Sequence, residues 1–253
     1  MKRPMKEEKS SSQKHGRLFV VATPIGNLED ITQRALRILK DVSAIACEDT
    51  RRTIKILNTY GIKNRLISYF HPKEQQKIPK ILSILLQGED VALVSDAGTP
   101  GISDPGYSLI RNALARGIHI VPIPGPSAVT AALSASGLPT HRFLFLSFPS
   151  PKEQAIKRML ESLKNERSTL VFYIPARRVS AFLRFIHETL GERQIVIARE
   201  LTKVHEEFLR GTPSKLLFRL EKAEFKGELT LLIEGSSKKK LIRVGKRLKK
   251  SKK

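Results

Sequence analysis

Ser95-Asp96-Ala97-Gly98-Thr99-Pro100-Gly101-Ile102-Ser103-Asp104-Pro105-Gly106 is the stretch around which the chain is organised. Before it lies a short apolar run, Val91 to Val94, with the length and composition of a fully buried strand. After it, Tyr107 to Ala115 carries apolar residues at helical spacing. Open α/β sheets use this order of strand, loop and helix to place ligands beyond the carboxyl ends of their strands. The three glycines of the loop let backbone approach a ligand closely, and its two prolines set its shape in advance. Asp104 is expected at the helix N-cap, with Pro105 at the first helical position. Taken alone, the loop fits two readings equally: a ligand cradle, or a well-capped turn.

Outward from it, the same strand-then-helix alternation recurs. Residues 18–21, 42–47, 66–68 and 118–121 read as further strands, separated by helices from Ile31 (capped by Asp30), from Thr50 and from Glu74. Such βα repetition predicts an α/β fold with a mainly parallel N-terminal sheet. Beyond Pro126 the pattern changes. Helices are expected over 128–136, 151–163, 177–190 and 216–220, and strands over 143–148, 169–174, 195–198 and 228–233, with 204–209 alternating apolar and polar. This half reads as a second α/β domain with a mixed sheet. Three prolines in five residues, 122–126, mark the connector. The expected organisation is a disordered basic leader (1–16), an N-terminal α/β domain (17–123), a C-terminal α/β domain (124–235) and a disordered basic tail (236–253).

Charge narrows the partners. The formal net charge is +22 in 253 residues. Residues 236–253 hold ten Lys or Arg and no acid, and residues 1–17 hold six bases and two acids. Setting those ten and four net charges aside leaves +8 on the rest, so the body is basic too. A basic body with basic arms suits nucleic acid through phosphate contact and counterion release. A solvated solubility tail is the plainer alternative. One cysteine, Cys47, excludes an internal disulfide framework and fits a reducing cytoplasm. No apolar run reaches the length of a membrane span or a secretory signal.

Other chemistries are excluded by what is missing. There is no G-x-x-x-x-G-K-[ST] for a nucleoside triphosphate and no G-x-G-x-x-G after the first strand for a dinucleotide. The six histidines show no zinc spacing, and no metal is expected. Ser127 lies in Gly-Pro-Ser-Ala, which fits a helix entry rather than a nucleophile elbow.

Five motifs in register make the chain recognisable: Val21 to Leu28, Glu48-Asp49-Thr50-Arg51, Ser95 to Gly106, Pro124 to Ala128, and Ser136-Gly137-Leu138-Pro139, joined by Lys226-Gly227-Glu228. Over roughly residues 17–235 they closely resemble the small-subunit ribosomal RNA methyltransferase I family of the tetrapyrrole methylase superfamily. The resemblance implies S-adenosylmethionine as cofactor, folded in a cleft between two α/β domains. It also implies 2′-O-methylation of one decoding-region cytidine of 16S rRNA, with the small ribosomal subunit as partner, a homodimer and a cytoplasmic location. Asp96, Ala97, Gly98 and Ile102 match the family loop that holds the methionine end of the cofactor. Ser127 and Ala128 match its second contact. Tyr173-Ile174 and the segment around Leu201 are expected to wall the adenine, with Pro24 and Asn27 at the cleft floor. Two departures stand out. Phe172 to Arg178 lacks the glutamate and histidine of the usual Phe-Tyr-Glu-Ser-Pro-His-Arg, and Ser147-Phe148-Pro149-Ser150 replaces Gly-Phe-Leu-Pro.

Methyl transfer from a sulfonium is an in-line displacement, helped most by alignment and exclusion of water. A ribose hydroxyl is a poor nucleophile, so a general base is expected. Glu48 and Asp49 are the catalytic candidates, with Glu200 or Glu206 behind them. A structural role fits the first two as well: Asp49 as a helix cap, Glu48 as a partner of Arg51 or Arg52. Asp96 could likewise be a turn-former bonding backbone amides. Arg51, Arg52, Lys152, Lys157 and Arg158 are expected either to grip RNA phosphates or to form solvated helix faces. Two other functions remain compatible: a tetrapyrrole C-methyltransferase of the same superfamily, and a non-enzymatic RNA-binding assembly factor.

Overall fold

A computed structural model describes residues 15–71, 73–220 and 227–237. The expected leader and tail lie almost wholly outside the described residues. The chain divides into two compact units, Met1–Pro24 with Leu28–Pro126, and Ile25–Asn27 with Ser127–Lys253.

In the first unit five strands, β1 (Leu18–Val21), β2 (Ala44–Cys47), β3 (Leu66–Ser68), β4 (Val91–Val94) and β5 (Ile120–Ile123), form one sheet in the order β3-β2-β4-β1-β5. Every pairing in it is parallel. Helices cover both faces. α1 (Gln33–Asp41) and α2 (Thr50–Thr59) pack on one around Phe19, Ile45 and Val94; α3 (Glu74–Leu86) and α4 (Tyr107–Leu114) pack on the other around Leu18, Leu93 and Leu109. That is why β1, β2 and β4 are apolar and buried along their whole length: a parallel strand has no wet face. Pro122 is tolerated within β5 because β5 is an edge strand.

The second unit holds β6 (Phe143–Phe145), β7 (Thr169–Pro175), β8 (Ile195–Arg199), β9 (Glu207–Gly211) and β10 (Glu228–Ile233), ordered β6-β7-β10-β8-β9. Only β6–β7 is parallel; the other three pairings are antiparallel, so the sheet is mixed as expected. Alternation divides its side chains. α6 (Glu153–Ser162), α7 (Val179–Leu190) and α8 (Pro213–Leu220) cover the face that carries Leu170, Phe172 and Ile174. α5 (Ala128–Ser136) covers the face that carries Val171 and Leu232. Gly137, at φ +77°, ends α5 in the left-handed conformation that favours glycine.

Several local expectations are corrected. Asp30 does not cap α1: it lies in a short 3-10 turn, Leu28–Asp30, and the Thr32 hydroxyl accepts the Ala35 N–H at 3.1 Å instead. Asp104 and Pro105 do not open α4, whose cap position is Gly106 at φ +151°. A Cβ there would meet Gly101 N at 3.1 Å and Leu93 Cδ2 at 3.2 Å, so close packing of the loop on β4 dictates the glycine. The strand expected over 143–148 stops at Phe145, because Ser147 turns to φ +55°. The alternation over 204–209 belongs partly to a turn, and β9 starts only at Glu207.

Candidate cofactor and catalytic site

In the first unit, register aligns the strand ends. Val94 pairs with both Val21 and Cys47, and Val21 with Ile123, so the segments starting at Ala22, Glu48, Ser95 and Pro124 leave the sheet at one edge. This is the edge where an open parallel sheet binds its ligand.

The loop after β4 is pinned there. Thr23 and Gly98 exchange backbone hydrogen bonds, Thr23 N to Gly98 O at 2.9 Å and Gly98 N to Thr23 O at 3.0 Å. The Thr23 hydroxyl, 2 % exposed, also donates to Ser95 O at 3.1 Å. Gly98 at φ +82° and Gly101 at φ +79° make the reversals possible. Ser95 Oγ, buried as well, donates to Gly98 O at 3.3 Å. The outcome is a fixed turn that presents Ala97 exposed and the Ile102 side chain 49 % exposed, while Pro24 is buried. Thr23 was not visible as a site residue. A threonine between a strand and a proline carries no signal until strand order brings it against Gly98.

Three carboxylates gather at this edge although bases outnumber acids 46 to 24 in the chain. Asp96 accepts the Asp49 N–H at 3.0 Å and lies 3.3 Å from the Arg52 guanidinium. It therefore ties the β4 loop to the start of α2, a longer reach than the local turn bonding expected. Asp49 caps α2, its Oδ1 accepting the Arg51 N–H at 2.9 Å, and grips the Arg51 guanidinium through both oxygens at 3.1 and 2.9 Å. Those Arg51 hydrogen bonds lower its pKa to about 2. A carboxylate so acidic is a weak proton acceptor, so Asp49 serves as cap and anchor. Glu48 is displaced the opposite way. Burial, and then the negative charge of Asp96, raise its carboxyl above the ordinary value, against a hydrogen bond from the Asp96 backbone and the pull of Arg52. Of the two candidates, Glu48 has the environment of a general base.

The second unit separates residues that the sequence grouped. Ile174 is 1 % exposed and packs in the core beneath α6 and α7. Leu201, 8 % exposed, packs on the opposite face with α5. Period-two alternation along β7 puts Tyr173, not Ile174, on Leu201's side. Tyr173 meets Phe145 and Phe148, ring centroids 5.0 and 5.3 Å away. Ser127 occupies the cap position of α5, where its carbonyl accepts from Thr130 Oγ1 at 3.2 Å, and Ala128 packs beside it.

Glu200 and Glu206 are committed to the turn between β8 and β9. Glu200 pairs with Lys203 at 3.0 Å, and Glu206 accepts the Thr202 N–H at 2.7 Å. Both Glu200 (φ +49°) and Thr202 (φ +66°) are left-handed, a strain this network holds. Residues 25–27 pack against the same turn. Asn27 N donates to Thr202 Oγ1 at 2.9 Å, and a Cβ on Gly26 would lie 2.6 Å from Leu201 O. Among the candidate phosphate-binding residues, Arg51 and Arg52 are engaged as above. Lys157 pairs with Glu153 and Glu188 at 3.3 and 3.5 Å, whereas Lys152 and Arg158 are exposed and form no ion pair among the described residues. Among those residues, too, no three His, Cys, Asp or Glu are grouped to hold a metal, and no helix is long and apolar enough to cross a membrane.

The acidic edge fits S-adenosylmethionine chemically: carboxylates complement a sulfonium and an ammonium, fixed backbone supplies hydrogen-bonding groups, and Ile102 supplies an apolar surface. Ile174 does not fit through its side chain.

Comparison with known proteins identifies the family. The Tetrapyrrole (Corrin/Porphyrin) Methylases family model matches residues 17–217. The chain is 46 % identical over 220 residues to the ribosomal RNA small subunit methyltransferase I of Thermotoga maritima, covering 87 % of this chain and 99 % of that one. It is 45 % identical over 234 residues to that of Escherichia coli O157:H7, covering 91 % and 82 %. Among solved structures, the methyltransferase CobJ matches with a TM-score of 0.66 at 19 % identity, covering 87 % of this chain and 95 % of CobJ. A uroporphyrin-III-C-methyltransferase from Thermus thermophilus matches at 0.62 and 20 %, covering 87 % and 94 %. The structural likenesses establish the fold, and the sequence identities place the chain within one branch of it: it belongs to the ribosomal RNA small subunit methyltransferase I family of tetrapyrrole methylases.

Proposed function

We propose that this protein transfers a methyl group from S-adenosylmethionine to the ribose 2′-hydroxyl of a decoding-region cytidine in 16S rRNA, working as a cytoplasmic homodimer on the small ribosomal subunit. The observation that carries the reading is identity of 45–46 % across about nine-tenths of the chain to proteins named ribosomal RNA small subunit methyltransferase I; the ribose hydroxyl of one cytidine is what the sequence resemblance adds. The basic body and arms support a polyanionic substrate.

The cofactor supplies an electrophilic methyl on a positively charged sulfur. Asp96, Ala97, Gly98 and Ile102 in the first unit are proposed to hold it, with Pro24 shaping the turn beside them. Ser127, Ala128 and Leu201, and Ile174 through its backbone only, are the proposed contributors from the second unit. Glu48 is proposed to accept the hydroxyl proton, which its raised pKa favours. Asp96, fastened to Arg52 and to the Asp49 N–H, keeps Glu48's neighbourhood negative and the loop in register with α2.

The test is incubation of purified protein and methyl-labelled cofactor with small subunits from cells lacking the protein. Label on a ribose oxygen of 16S rRNA is expected. Label appearing only on a porphyrin precursor points instead to a tetrapyrrole methylase. RNA binding without cofactor binding in calorimetry points to an assembly factor.

A further inference from the structure

Helix α4, which follows the loop at 95–106, and α3 on the same face of the sheet carry a surface none of the roles above uses. Tyr107, the first residue of α4, is 68 % exposed, which is unusual for an aromatic ring next to a rigid loop. One turn along, Arg111 lies on the same side, since residues four apart are neighbours on a helix. With Gln75 of α3, and with Ser108, Asn112 and Ala115, they line an open groove of about 380 Å³. The floor is fixed. Asn112 Nδ2 donates to Ser108 O at 2.9 Å, and Ser108 Oγ donates to Glu74 Oε1 at 3.1 Å. The other oxygen of Glu74 accepts from the buried Tyr69 hydroxyl at 3.2 Å. Glu74 is the one acidic residue within α3 and α4, and its carboxylate is used internally. Lys73 and Lys77 lie within one helical turn of it in the chain and Arg111 lines the groove, and none of the three forms an ion pair among the described residues.

An exposed ring, a cation one turn away, an exposed amide at the rim and basic side chains that form no ion pair among the described residues are the features that recognise a splayed-out nucleotide. The base stacks on the aromatic, and the phosphate meets the cation. We propose that this α3–α4 groove is a subsite for one unstacked nucleotide of the RNA substrate, its base on Tyr107 and its phosphate at Arg111. The inference rests on the RNA reading above and adds how the strand is positioned beside the cofactor loop.

The chain has no tryptophan, so Tyr107→Trp places a single reporter in the groove and keeps a stacking surface. Small subunits from cells lacking the protein are expected to quench its fluorescence, with methyl transfer retained. Tyr107→Ala should raise KM for those subunits about tenfold, within the range for losing one stacked base, and leave cofactor affinity within about twofold. Tyr107→Phe should keep the wild-type KM, because stacking needs the ring and not the hydroxyl. Arg111→Ala should weaken RNA binding and lower its salt slope by about one. Fluorescence of the Tyr107→Trp variant that stays unquenched at saturating subunits, or an unchanged KM in Tyr107→Ala while wild type still transfers methyl, overturns the subsite and leaves the rRNA reading standing. A Tyr107→Ala variant that changes oligomeric mass without changing KM assigns the face to a second copy of the chain, and also overturns it. Wild type that methylates no rRNA refutes the reading beneath both.

Discussion

The two sheets handle their strand ends in opposite ways. In the first unit, the carboxyl ends of β1, β2 and β4 open into polar, tightly turned backbone: Thr23 on Gly98, Asp96 on the Asp49 N–H, Glu48 half buried between charges. In the second, β7 carries its apolar alternation through Ile174, whose side chain is sealed beneath α6 and α7. A parallel sheet covered on both faces leaves only its ends to meet ligand, so chemistry concentrates there. A mixed sheet spends its strand ends on core, and its half-exposed aromatic positions, such as Tyr173 beside Phe145 and Phe148, become the available surface.

The contrast is sharpest at Glu48. Glu48→Gln should lower kcat by about 10²–10⁴, the range of a lost general base, with cofactor affinity within about twofold. Its raised pKa means that folding favours the protonated form, so stability declines as pH rises through the interval between the unfolded and the higher folded pKa. At neutral pH Glu48→Gln should therefore melt no lower than wild type. A fall in Tm with unchanged kcat would make Glu48 structural and blur the contrast between the sheets.

Next in size is a pair of isoleucines. Ile174→Ala should cost about 2–5 kcal/mol of stability, measured by denaturant unfolding, because it empties a packed site. Cofactor affinity should stay within about twofold in the folded protein. Ile102→Ala, at an exposed position, should leave stability unchanged and weaken cofactor binding by about fivefold, as expected for losing about 1 kcal/mol of apolar contact. The reverse pattern would move the apolar wall to the second unit.

Gly98→Ala should cost about 1–2 kcal/mol, since a Cβ is penalised at φ +82°. Cofactor binding should weaken with it, because the Thr23–Gly98 pin shapes the loop. The smallest effect is expected for Asp49→Ala, a lost helix cap that lowers Tm by about 2–4 °C and kcat by less than about tenfold. Because Arg51 depresses the Asp49 pKa to about 2, its stabilisation is complete above the ordinary value of 3.8 and is lost as pH falls through about 2. The variant should lack that acid limb of the stability profile.

The parallel first sheet was legible because βα repetition leaves few topologies, and the 95–106 loop because glycine and proline punctuate it. Exact helix starts were less legible. Asp30 and Thr32 are both good caps, and only the Leu28–Asp30 turn decides between them. Asp49's preference for α2 over proton transfer was half visible, as a cap signal, but the fork from Arg51 needs coordinates. The link between Glu48 and Asp96 depends on β2 and β4 being neighbours, 47 residues apart at their pairing ends, which sequence spacing does not encode. Of the pair Tyr173-Ile174 expected at the adenine wall, the sequence did not show which side chain faces which layer: alternation along β7 sends Ile174 beneath α6 and α7, and Tyr173 to the α5 face beside Leu201. The packing of residues 25–27 on the 200–206 turn left one trace, Gly26, whose missing side chain admits Leu201 O.

The most direct measurement is a crystal structure of the protein with S-adenosylhomocysteine bound. The amino-acid end of the ligand is predicted against the backbone of residues 96–98, with Ile102 in contact and the Ile174 side chain untouched. A ligand found away from the Ser95–Gly106 loop would contradict this.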